Sequence, residues 1–449
     1  MLSSIVIHRW RFCVNNEKGI NRASKTIHRS QEWAGCFVPT LSFGFRQMTP
    51  IPNVNIASSE FKANPFPFYA RLRSEAPVYR TILPDKRNAW LITRYQDAVV
   101  LLKDDRFRKD RTKSHKQPWM PRMFKPLMRN MLDLDAPDHT RLRGLVHTVF
   151  TPRLIGSLRQ RVQNLTDELL NRLQNQRQMD LIHDYALQIP TTIIAEMLGI
   201  PVKDRLKFHR WSSAGVSSSA SRFGILKAIP HIVALIRYIR SLVKARRLKS
   251  EDDLISALVR VEEAGDQLSE DELLAMIVLL LVAGHETTVN LIGNGALALL
   301  ENPDQLSRLR DDPTLIKSGI EELLRHSGPL ETTTERYPRE DTSIAGVLIP
   351  RGELVFAVLA SANRDDQQFK DADRLDLGRE PNPHIAFGQG VHYCLGAPLA
   401  RLEGQIAIST LLRRMSGLKL AIPPRGLRWR RGLVPRGLEA LPVEFSRCS

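Results

Sequence analysis

From Ser269 to Leu300 the chain reads SEDELLAMIVLLLVAGHETTVNLIGNGALALL, a helical pattern of about 32 residues and about 48 Å at 1.5 Å per residue. Ser269 with Glu272 three positions on is the spacing of a capping box, which fixes where the helix starts. The apolar run from Leu273 to Gly284 is too short for a bilayer, and it stops at His285-Glu286-Thr287-Thr288. Asn290 and Asn294 follow, so the segment predicts a core helix crossing a large domain. The 449 residues, 43% of them hydrophobic, supply enough apolar material for such a domain and exclude a small module.

The rest of the pattern is built around that helix. Helical periodicity is read at 65–75, 95–103, 137–150, 152–174, 190–200, 202–213, 225–247, 251–263, 312–330 and beyond Leu395. A hairpin is predicted around 78–94, and other strand signals return mostly after 340. The basic, proline-broken stretch 106–127 reads as a long loop. Residues 1–47 show no sustained period and are expected to be a disordered extension or the product of a start codon set too far upstream. The expectation is a single mainly α domain over 48–449, with small peripheral β-sheets.

Lys and Arg number 65 against 48 Asp and Glu, a formal +17 that raises the question of an acidic partner. Residues 1–47 carry seven basic and two acidic side chains, and residues 401–449 carry ten and three, so the two ends hold +12 of the excess. Without a paired-cysteine finger spacing or stacking aromatics, nucleic-acid binding is not expected. The four cysteines, Cys13, Cys36, Cys394 and Cys448, form neither a disulfide framework nor a zinc cluster. The N-terminus lacks a continuous apolar stretch for a signal or anchor, which predicts a soluble cytoplasmic protein with no membrane insertion.

Two segments carry chemistry. AGHETT (283–288) sets a carboxylate and hydroxyls inside an apolar helix, where they must be hydrogen-bonded or used. A kink is expected there, with Ala283 and Gly284 admitting a flat ligand, Thr287 bonding to the preceding turn or to the ligand, and Glu286 handing on protons. In HIAFGQGVHYCLGAPLARLEG (384–404) the lone interior cysteine, Cys394, stands between glycines and a following helix, whose N-terminus favours a thiolate. One thiolate with no second ligand at close spacing suits haem iron better than zinc or an iron–sulfur cluster.

The run Phe387-Gly388-x-Gly390-x-His392-x-Cys394-x-Gly396 resembles the haem-binding loop of the cytochrome P450 family, and AGHETT resembles that family's oxygen-activating helix. The likeness spans roughly 55–445 and is strongest to soluble bacterial members. It implies the cytochrome P450 fold, with haem b between the long helix and the helix after Cys394. Cys394 would be the iron ligand, and Ala283, Gly284, Phe387, His392 and Gly396 would line the cofactor. Cations for the haem propionates would come from His139, Arg143, Arg336 and His392. Glu322 and Arg325 would lock to a third arginine, assigned to Arg374. Thr287 and Glu286 would deliver protons to bound dioxygen.

The resemblance also implies a monooxygenase that hydroxylates or epoxidises a lipophilic polyketide, terpenoid or fatty acyl compound. Electrons would pass from NAD(P)H through a reductase and an acidic ferredoxin docking near Arg143 or Arg401, and a monomer is expected. The pocket would take Leu330, Thr332 and Thr333, with parts of 106–131 and 205–235. A peroxide-driven peroxygenase, a haem isomerase or dehydratase, and a noncatalytic haem-binding protein are the alternatives.

Overall fold

A computed structural model describes residues 51–110 apart from 53, then 127–204, 222–263 and 268–446, with the single positions 207 and 211. The expected extension at 1–47, the apolar lid at 119–124 and most of 205–221 lie outside the described residues. The chain opens with α1 (Ser59–Ala63) and α2 (Phe66–Glu75), the hairpin β1 (Val78–Ile82) and β2 (Asn88–Ile92), α3 (Tyr95–Lys103) and the short β3 (Phe107–Arg108). Next come α4 (Asp138–Val149), α5 (Pro152–Arg172), β4 (Gln178–Asp180), α6 (Gln188–Met197), α7 (Arg222–Leu248), α8 (Leu254–Glu263) and α9 (Glu270–Glu301). The last part holds α10 (Pro303–Asp311), α11 (Ile316–Ser327), β5 (Tyr337–Pro338), β6 (Thr342–Ile344), β7 (Val347–Ile349), β8 (Leu354–Ala357), α12 (Leu359–Ala362), α13 (Ala397–Arg414), β9 (Lys419–Leu420) and β10 (Pro442–Glu444).

The long helix starts where the capping box sets it: Ser269 Oγ accepts from Glu272 N at 3.3 Å and Glu272 Oε2 accepts from Ser269 N at 2.9 Å. It ends at Asn302 because Pro303, with no N–H, begins the next helix. Between these limits α9 touches α6, α7, α8, α10, α11 and α13, and α13 in turn packs on α5. By length and hydropathy α9 is apolar enough to cross a bilayer, yet 61% of its most apolar window is buried inside the domain. Each buried Leu or Ile there contributes about 1.5–3 kcal/mol, so the helix is the axis of the core.

The sheets lie outside this bundle. Antiparallel β1–β2 pairs Arg80 with Trp90, and β2 runs parallel to β8 with Trp90 opposite Val355. The β4–β10–β9 sheet and the β3–β5 and β6–β7 pairs are shorter. A six-residue π-helical turn, Leu181–Ala186, precedes α6. The helix read at 312–330 needs one correction, since Asp312 caps a 3-10 turn (Pro313–Leu315) before α11 begins.

Candidate active site

Helix α9 runs continuously through 283–288. Thr287 Oγ1 donates to the Ala283 carbonyl at 3.0 Å, a back-bond to the preceding turn that a core threonine readily makes. In the middle of this helix Ala283 is exposed, and Leu279, Glu286 and Thr287 are partly accessible, as are Val278, Val282 and Gly284. The spacing of Leu279, Ala283, Glu286 and Thr287 puts them on one face, which therefore borders a cleft. A Cβ added to Gly284 would meet Ile194 Cδ1 of α6 at 3.5 Å, an ordinary contact.

The cysteine loop is shaped by its glycines. Gly388 and Gly390 take φ of 70° and 72°, a region that strains any residue with a Cβ, and a Cβ on Gly390 would stand 2.7 Å from the Leu102 carbonyl of α3. Cys394 N donates to the Phe387 carbonyl at 3.0 Å, closing the turn just before α13. The thiol is solvent-accessible yet crowded by protein, the combination expected of a group lining an internal cleft. Burial pushes it up from its ordinary value, while the N–H groups of Gly396 and Ala397 and the guanidiniums of Arg143 and Arg401 favour thiolate.

Beside the loop the chain gathers cations. His139 of α4 and His392 lie against each other with ring centroids 4.3 Å apart and planes tilted by 52°. Burial pushes Arg336 down to about 10, and burial together with Lys109, His139, Arg336 and Arg143 pushes His392 down to about 2, so that imidazole is neutral. The buried Nε2 of His139 and Nε of Arg336 have no hydrogen-bond partner. Such donors are costly to leave unmet, and their convergence with Lys109 and Arg143 describes a site for an anionic group. Arg143 also donates from Nη2 to the Tyr393 carbonyl at 2.7 Å.

Glu322 and Arg325 are fully buried and paired through Nε–Oε2 at 2.7 Å and Nη2–Oε1 at 2.8 Å. The third arginine is Arg379, whose Nε reaches both Glu322 oxygens at 3.1 Å. Arg374 is exposed and lends only its backbone carbonyl to Arg325 Nη2 and Arg379 Nη2. Thr332 also departs from expectation. It is fully buried with its hydroxyl bonded to the Thr333 and Leu433 carbonyls, so it secures the turn and faces no pocket. Leu330 and Thr333 are partly accessible, although Thr333 Oγ1 accepts from Ala357 N.

Residues 226–419 match the family model described as Cytochrome P450. Cytochrome P450 107B1 of Saccharopolyspora erythraea is 45% identical over 383 residues, covering 84% of this chain and 93% of the relative. The chain is a cytochrome P450. The polyketide biosynthesis cytochrome P450 PksS of Bacillus subtilis is 42% identical over 398 residues, 86% of this chain and 97% of the relative. The crystal structure of the myxobacterial cytochrome P450 CYP267B1 in complex with myristic acid superposes with a TM-score of 0.82 at 43% identity, covering 87% of this P450 and 98% of that chain.

Family membership brings the activity: this P450 is a haem-dependent monooxygenase that uses dioxygen and electrons from a redox partner on a lipophilic substrate. Its residues fit the haem. Cys394 is accessible, α9 exposes Ala283, and buried cations with unmet donors suit two carboxylates. Four residues escaped sequence reading. Lys109 joins the cation cluster and Arg379 completes the buried triad. Arg430 lies 3.6 Å from Glu286, and Glu403 of α13 is buried beside Thr288. Only Arg379 carried a signal, standing five positions after Arg374 in the same segment.

Proposed function

We propose that this P450 is a cytoplasmic monomer that takes electrons from NAD(P)H through a ferredoxin reductase and a small acidic ferredoxin, and hydroxylates or epoxidises a polyketide, fatty acyl or terpenoid metabolite. The observation that carries the haem assignment is the convergence of His139, Arg143, Arg336, Lys109 and His392 beside the accessible Cys394. Haem bound through that thiolate supplies reductive activation of dioxygen and insertion of one oxygen atom into substrate.

The chain's own residues then have distinct tasks. Cys394 holds the iron, and Arg336, His139 and Arg143 hold the propionates. Thr287 can exchange its bond to Ala283 O for one to oxygen in the cleft. Burial raises Glu286 above its ordinary value against the opposing pull of Arg430, a balance that suits a carboxyl handing on protons. Glu322, Arg325 and Arg379 hold the segment that leads into the cysteine loop.

Two features support the substrate class. The cleft face of α9 offers Leu279 and Ala283, and the similar proteins include one named for polyketide biosynthesis and one crystallised with a fatty acid. Support for the ferredoxin comes from the exposed Val391 and Tyr393, which sit with Arg143 on the outer side of the cysteine loop. A panel of macrolides, fatty acids and terpenoids should be titrated into the ferric enzyme. A low-to-high-spin shift with one of these classes is expected, and shifts only with small polar compounds would contradict the assignment.

A further inference from the structure

Arg401 is expected from sequence to be a docking charge for the electron donor, but its contacts turn inward. Its Nε and Nη2 form a fork on the two oxygens of Glu321 of α11, both at 2.7 Å, and Nη1 donates to the Tyr393 hydroxyl at 3.2 Å. The guanidinium carbon lies 4.5 Å from the ring centroid of Phe387. Glu321 is held from its other side by His384, whose Nε2 lies 3.0 Å from Oε2. Because Ala386 N donates to His384 Nδ1 at 3.2 Å, the imidazole hydrogen is assigned to Nε2 and points at the carboxylate.

Phe387 is the residue this frame grips, and it is joined to the sulfur in two ways. Its carbonyl accepts the Cys394 N–H at 3.0 Å, and its ring also neighbours His384 and Tyr393 at 6.1 and 6.3 Å. A planar fork that binds a carboxylate edge-on while laying its face on an aromatic ring is a task for arginine, since a lysine ammonium can do only one of the two. Pairing with Glu321 also leaves little net field for steering a distant partner.

We infer that Arg401 is a positioning residue: clamped by Glu321 and His384, it fixes the Phe387 ring and the turn that presents Cys394, and thereby sets the reduction potential of the haem iron. This rests on the haem-thiolate reading of Cys394, so the wild-type ferrous carbonyl spectrum is recorded first. Absence of the thiolate-type band would overturn that reading itself.

The test uses the haem-loaded enzyme and the variants Arg401→Lys and Glu321→Gln, both of which keep a cation at position 401. The ferric/ferrous midpoint is read by equilibrium titration on the haem-containing fraction, so partial loss of folded protein does not obscure it. If Arg401 positions the ring, both variants shift the midpoint in the same direction and broaden the carbonyl band. A shift in Glu321→Gln alone would mean a through-space charge effect, and no shift in either would mean that the clamp is irrelevant to the iron. Either result overturns the inference. A plant-type [2Fe–2S] ferredoxin serves as an acidic probe: the salt dependence of its electron transfer should be unchanged in Arg401→Gln, and a weakened dependence would return Arg401 to the role of a docking charge and overturn the inference.

Discussion

At the scale of single residues, the site combines groups whose type is legible in the sequence with partners that are not. Thr287 could be singled out because a hydroxyl interrupts an apolar run, and its back-bond to Ala283 gives it somewhere to rest when no oxygen is bound. Thr287→Ala should leave haem binding intact and divert electrons to peroxide or water, measured as product formed per NAD(P)H consumed; unchanged coupling would remove its proton-delivery role. Glu403 was invisible because its meaning depends on what α13 packs against. Burial drives its carboxyl up to about 8, opposed only by the Thr288 hydroxyl, and Oε2 has no partner. A raised carboxyl gives its stabilisation in full below the unfolded value near 4.5 and loses it as pH rises to about 8, at a slope of up to about 1.4 kcal/mol per pH unit. Denaturant midpoints of Glu403→Gln should therefore fall less between pH 5 and 8 than those of the parent.

At the scale of elements, the capped start of α9, the hairpin and the helix after Cys394 were readable because each rests on local rules of capping, alternation and dipole. The segment 283–288 shows the limit of such rules. AGHETT breaks the hydrophobic pattern, yet its polar groups are satisfied without breaking the helix, by back-bonding at Thr287 and His285. In the cysteine loop the glycines differ in what they permit. Gly390→Ala combines a left-handed φ with a Cβ 2.7 Å from the Leu102 carbonyl, so the loop must move away from α3. Its conformational cost alone is about 1–2 kcal/mol. At Gly396 a Cβ would stand 3.9 Å from Cys394 Sγ with φ at −78°, and the protein itself leaves room. Haem retention on heating should drop sharply in Gly390→Ala, and Gly390→Ala behaving like the parent would mean that the turn adapts.

At the scale of the whole molecule, the buried triad and the charge distribution carry the main lessons. The segment DADRLDLGR offers two arginines, and pattern alone favours neither. The chain reverses at Asp371, with φ of 49°, before Arg379 comes back over Glu322. Arg379→Leu should cost about 1–3 kcal/mol by removing two charged hydrogen bonds from buried Glu322, which keeps Arg325, whereas Arg374→Leu should change stability by about 0.5 kcal/mol or less, since its side chain is exposed. Urea midpoints of the two variants check the assignment. The basic C-terminal region is likewise less available than its count suggests. Arg401, Arg414, Arg430 and Arg436 pair with Glu321, Asp167, Glu286 and Glu331 from outside that region, so part of the excess is already matched by carboxylates of the fold. What gives the molecule its chemistry is the thiol at the cleft, and the most direct measurement is the ferrous carbonyl spectrum of the haem-loaded protein beside Cys394→Ser. The parent should show the red-shifted thiolate-type band that gives the family its name and the variant should lose it, whereas the same band in both would contradict Cys394 as the iron ligand.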